Sequence, residues 1–64
     1  MAVSLQGERA VKVFGTKLTE TPRAYYMDCE GDQLWIPKSV CKLVPKDKAI
    51  VIKEWWYNQN FTNS

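Results

Sequence analysis

The chain has 64 residues, 45% hydrophobic and 25% charged, with a net charge of +2 and a pI near 8.6. This length permits one domain, spanning residues 1–64, in which folding hides roughly 60% of the unfolded surface. It excludes a two-lobed cofactor enzyme, and no apolar run approaches the ~20 residues of a membrane span.

Ala2 to Gln6 alternates and reads as a short strand, broken by Gly7-Glu8. Arg9 to Phe14 sets Val11 and Val13 on one face and Lys12 on the other, which predicts a second strand. Gly15 interrupts or bulges it. Thr16 to Pro22 holds three threonines and a proline and reads as a loop or an irregular edge.

Ala24 to Cys29 is aromatic-rich and strand-like, Glu30-Gly31 is a tight-turn signal, and Gln33 to Ile36 is the return strand. Pro37 cannot donate to a ladder and ends that strand, and Ser39 offers a hydroxyl to cap a following turn. Ser39 to Val44 spaces Val40, Leu43 and Val44 for a helical or 3₁₀ turn, or for a short strand. Pro45 to Lys48 is a turn, and Ala49 to Lys53 is the clearest strand in the chain. Glu54 to Asn60, with Trp55, Trp56 and Tyr57, reads as a short helix on the sheet or as the end of the strand. Thr62-Asn63-Ser64 is expected to fray.

Side chains alternate along strands, so parity selects a core of Val11, Val13, Met27, Leu34, Ile36, Ile50 and Ile52. The opposite face carries Phe14, Tyr26, Trp35 and Val51 among Lys12, Asp28, Gln33 and Lys53, which is too apolar to stay bare. Either the Trp55-Trp56-Tyr57 segment folds over it, or a partner, a second copy or a ligand covers it. Two apolar sheet faces in so short a chain predict a mainly β fold. The expectation is a small SH3-like or OB-like partly closed barrel of four or five strands, with at most one short helix, near the C-terminus. The second face also makes a homo-oligomer an expected partner state.

Charge is uneven. Residues 1–34 carry four basic and five acidic side chains, whereas residues 35–64 carry Lys38, Lys42, Lys46, Lys48 and Lys53 against Asp47 and Glu54. The lysine cluster is either a solvated rim or a phosphate-facing patch.

The chemistry that is missing narrows the function. There is no histidine, so no Ser-His-Asp or Cys-His arrangement and no zinc site built on histidine. Ser39-Val40-Cys41-Lys42 matches S-x-x-K without the larger enzyme that motif serves. No Gly-rich loop follows a strand. Cys29 and Cys41 fit no C-x-x-C spacing, and with no export signal they read as reduced, apolar core residues in a cytoplasmic protein. Asp28, Glu30 and Asp32 gather at a hairpin tip without an ion-binding spacing. No catalytic residue, no metal and no cofactor is expected, and a binding protein is.

The string Glu30-Gly31-Asp32-Gln33-Leu34-Trp35-Ile36-Pro37-Lys38-Ser39-Val40 resembles a pattern in small, mostly uncharacterised phage-encoded β proteins. In these an Ala-led strand, an acidic-Gly turn and Trp-Ile-Pro-Lys-Ser are followed by an apolar strand ending in Glu-Trp. Here Ala24 leads the first strand and Lys53-Glu54-Trp55-Trp56 closes the last, so the resemblance covers roughly half of the chain. It implies a bacteriophage or mobile-element origin and a place in the cytoplasm of an infected bacterium. Some such proteins accompany phage replication and recombination functions.

Three functions follow as expectations. Aromatic rings beside lysines suit a nucleic acid or nucleotide, the bases stacking and the lysines meeting phosphates. Tyr and Trp anchors and a free sheet edge suit a phage-encoded inhibitor of a host defence or replication protein. The apolar second face suits a self-associating structural subunit. The expected binding surface is Trp35, Lys38, Lys42, Lys53, Trp56 and Tyr57.

Overall fold

In the computed structural model, which describes residues 3–61, the chain forms seven strands and one helix. In order these are β1 (Val3–Leu5), β2 (Glu8–Phe14), β3 (Thr16–Glu20), β4 (Ala24–Cys29), β5 (Asp32–Pro37), β6 (Cys41–Val44), β7 (Ala49–Lys53) and α1 (Glu54–Asn60). Short 3₁₀ turns at Lys38–Val40 and Pro45–Asp47 bracket β6. The expected start of the first strand at Ala2 and the fraying of 62–64 lie outside the described residues.

Strands β1-β2-β7-β6 form one antiparallel sheet, hereafter sheet A, and β3-β4-β5 form sheet B. The two make a partly closed barrel, mainly β as expected, with a short C-terminal helix. There are seven strands rather than four or five, because Thr16–Glu20 is a strand and Ser39–Val44 divides into a 3₁₀ turn and β6. Thr16–Glu20 is not a loop. It pairs with β4, with a register shift between Lys17 and Thr19, and all five residues are exposed. Its irregularity belongs to an edge strand that carries a bulge.

Two hairpins turn on residues with positive φ. Glu30 (φ 55) and Gly31 (φ 91) join β4 to β5 with Cys29 paired to Asp32, and Gln6 (φ 53) and Gly7 (φ 79) join β1 to β2. Two left-handed central residues match the twist of the flanking strands. Between β3 and β4 the Thr21 hydroxyl accepts the amides of Arg23 (3.3 Å) and Ala24 (3.1 Å), and the Thr21 amide donates to the Ala24 carbonyl (2.8 Å). Pro37 closes β5, and the next amide, Lys38, donates to the Arg23 carbonyl at 2.8 Å. Ser39 does not cap the turn that contains it; no side chain caps that turn, which begins from Pro37.

The core lies between the sheets. Met27, Ile36, Ile50 and Ile52 are fully buried, with Val13, Cys29, Val40 and Cys41 packed around them. Val11 and Leu34 are half-buried against this cluster, completing the set chosen by parity. Hiding one such Ile side chain is worth about 1.5–3 kcal/mol. The helix closes the core: Trp56, Tyr57 and Phe61 pack on the cluster, with the Tyr57 and Phe61 rings stacked 4.7 Å apart. The Trp55-Trp56-Tyr57 segment therefore does not fold over the second sheet face. A helix turns successive side chains by about 100°, so Trp55 is left exposed while the next two residues reach the core.

Candidate functional site

The outward face of sheet A is built by register. Across its middle row Lys12, Val51 and Lys42 stand side by side, and the next row is Phe14, Ala49 and Val44. Lys53 lies in the row beyond, opposite Ala10. Val51 and Ala49 are buried although they face outward. They are short side chains on a central strand, shielded by longer neighbours whose aliphatic stems lie along the sheet. Phe14 is 60% exposed, and the Lys12 ammonium sits 5.8 Å from its ring centre.

The 3₁₀ turn after β6 adds Lys46 to this end of the sheet, and Lys48 follows it with φ 52. Lys12 pairs with Asp47 at 2.8 Å and Lys53 with Glu8 at 3.2 Å. Among the described residues Lys42, Lys46 and Lys48 make no ion pair. Three exposed cations thus lie on or beside the sheet that carries the exposed Phe14 ring.

The outward face of sheet B differs in charge. Tyr26 and Trp35 are cross-strand neighbours with ring centres 4.9 Å apart, and the Tyr26 hydroxyl donates to the Gln33 side-chain carbonyl at 3.4 Å. Asp28, Glu30 and Asp32 lie toward the hairpin end of these rings, and Arg23 and Lys38 toward the other end. Among the described residues no three of the Cys, Asp and Glu side chains converge on a point where they would hold a metal.

The six residues expected at one surface are distributed over four places. Trp35, 47% exposed, is on sheet B. Lys42 and Lys53 are on the outward face of sheet A, but the Lys53 side chain is 12% exposed and held by Glu8. Lys38 turns to Glu20 (2.8 Å) and lies 4.9 Å from the Tyr25 ring centre. Trp56 and Tyr57 are together, against the core. Hydrogen bonding to Glu20 raises the Lys38 pKa, and the Glu20 carboxyl, bonded first to Lys17 and then to Lys38, is lowered to about 2.

Phe14, Lys12, Lys46 and Lys48 were not expected in the site. Parity had already placed Phe14 and Lys12 on the outward face, and Lys46 and Lys48 belong to the lysine cluster of the second half. The signal that joins them is the pairing of β2 with β7 and of β7 with β6. No protein-family model, no curated protein and no solved structure matches this chain.

Proposed function

We propose that this chain is a non-catalytic binding protein that takes single-stranded nucleic acid or a nucleotide on the outward face of sheet A. The observation that carries the reading is the exposed Phe14 ring beside Lys12, with Lys42 on the same outward face and Lys46 and Lys48 at the same end of the sheet. A base stacked on a ring contributes about 1–3 kcal/mol, and lysines free of carboxylates release counterions when they meet phosphates. The absence of histidine from the sequence supports a binding role over acid–base catalysis. The resemblance to phage-encoded β proteins supports a bacteriophage origin and action in the bacterial cytoplasm. No helix among the described residues is long and apolar enough to cross a membrane.

The test is fluorescence anisotropy of a labelled oligothymidylate over a range of salt concentrations. Three lysine–phosphate contacts give a log–log slope of about −2 on single strands. Phe14→Ala weakens binding by about tenfold, and Lys42→Ala with Lys46→Ala lowers the slope by about 1.4. A slope near zero, or unchanged affinity in the double lysine variant, overturns the proposal.

A protein partner is the second reading, favoured by the parting of the sheets described next.

A further inference from the structure

β6 ends sheet A and β3 ends sheet B, and each pairs on one side. The two edges are pinned at both ends. At one end the Gly15 amide donates to the Lys48 carbonyl (2.9 Å), and at the other the Lys38 ammonium donates to Glu20 (2.8 Å). The chain runs along β3 from the first pin to the second and returns along β6, so the two strands are antiparallel. Between the pins no backbone hydrogen bond joins them among the described residues. A cleft of about 340 Å³ opens at the Gly15–Lys48 end of this gap, with Thr16 and Lys17 on one side and Leu43, Pro45 and Lys48 on the other.

We infer that this gap is a docking groove for an extended acidic segment of a partner protein, which enters as an added strand and closes the barrel. The inference goes beyond the nucleic-acid reading; it shares Lys48 with that surface and otherwise uses the gap between the two sheets. An antiparallel strand turns half of its backbone N–H and C=O groups away from its partner. On β6, whose four residues keep an unbroken register with β7, those groups belong to two alternate residues, and the Cys41 amide is already given to the Lys38 carbonyl. On β3 the bulge at Leu18 limits pairing to the Thr16–Lys17 end, so the added strand pairs with β6.

Side-chain chemistry defines the occupant further. Leu43 and Pro45 offer apolar surface, while Lys17 and Lys48 flank it; Lys38 lies outside the cleft, at the second pin. The carboxylate nearby, Glu20, is already shared by Lys17 and Lys38. The groove is therefore apolar at its base and positive at its rim. Because strand side chains alternate, the fitting segment alternates aliphatic residues, facing in, with acidic residues facing the lysines. No aromatic ring lines the cleft, so a base has nothing to stack on there.

The experiment is amide NMR of the full chain titrated with a capped heptapeptide alternating glutamate and valine. The expected result is shifts at Cys41–Val44 and Thr16–Lys17. N-methylation of the central valine amide, which leaves this protein untouched, abolishes them. Lys17→Gln with Lys48→Asn weakens the peptide about fivefold; Asn tolerates the left-handed backbone at position 48. Any of these results overturns the inference: no shifts at millimolar peptide, equal binding of the N-methylated peptide or of one with lysine for glutamate, the same shifts on concentrating the protein alone (a second copy fills the gap), or shifts at Thr16–Lys17 with oligothymidylate, which the nucleic-acid surface does not reach.

Discussion

The Gly15 amide donates to the Lys48 carbonyl at 2.9 Å, and this one bond ties the corner where the chain leaves sheet A for sheet B to the turn that opens β7. Phe14 on one side of Gly15 faces outward on sheet A, and Thr16 on the other pairs with Asp28 in sheet B. The corner is tight because it crosses β4 closely. A Cβ on Gly15 would lie 2.8 Å from the Asp28 carbonyl oxygen and 2.8 Å from the Cys29 Sγ.

Gly15→Ala is accordingly expected to destabilise the fold by about 1–3 kcal/mol, as overpacking does. The neighbour is backbone, so it cannot swing aside. In a domain of this size each kcal/mol lowers the melting temperature by about 4–8 °C. Thermal denaturation followed by circular dichroism checks it, and an unchanged midpoint would show that the corner is looser than the structure has it.

Ile52 is fully buried between Val11 and Cys41 in the sheet register. Ile52→Ala removes most of its side chain from the core and is expected to cost about 2–5 kcal/mol. The whole domain holds roughly 3–10 kcal/mol on the per-residue scale. Urea unfolding is therefore expected to show a variant that is barely folded at 25 °C. A variant as resistant as the parent would refute the packing described.

Both thiols are raised by burial: Cys41 is pushed up to about 11 from an ordinary 9.0, and Cys29 rises as well, helped by Asp28, Glu30 and Asp32. The Cys41 thiol also donates to the Pro37 carbonyl at 3.2 Å. A folded pKa above the unfolded one means a contribution fully present below pH 9 and lost as pH rises through about 11. Melting temperature is expected to decline over that window, less steeply in Cys41→Ala. At neutral pH both thiols react with a disulfide reagent only as fast as the protein opens.

The Glu20 carboxyl, bonded to Lys17 and Lys38, titrates at about 2 against an ordinary 4.5. Here the folded pKa is the lower one, so its stabilisation is present above pH 4.5 and is lost as pH falls through about 2. The group is exposed, so the effect on overall stability is small. Carbonyl-detected NMR is expected to find the low midpoint in the parent and a midpoint closer to 4.5 in Lys17→Gln. An ordinary midpoint in the parent would mean that both lysines leave the carboxylate in solution.

The local signals were legible before folding. Glu30-Gly31 needs left-handed backbone and so announces a hairpin; Ala49–Lys53 is β-branched on both faces and bounded by a turn; parity along β2, β4, β5 and β7 selects Val13, Met27, Ile36, Ile50 and Ile52 for the interior. These features follow from the preferences of a few adjacent residues, which the sequence states directly. β3 was obscure because an exposed edge strand shows no alternation between apolar and polar side chains; it is a strand because β4 offers it a ladder. The site was decided later still. Lys12 is joined to Asp47 across 35 positions, Lys38 to Glu20 across 18 and Lys53 to Glu8 across 45. Which cations are neutralised and which stay open to a ligand depends on the sheet order that brings those carboxylates within about 3 Å. That order depends on closing long loops around one core, a property of the whole chain that no short stretch of residues contains.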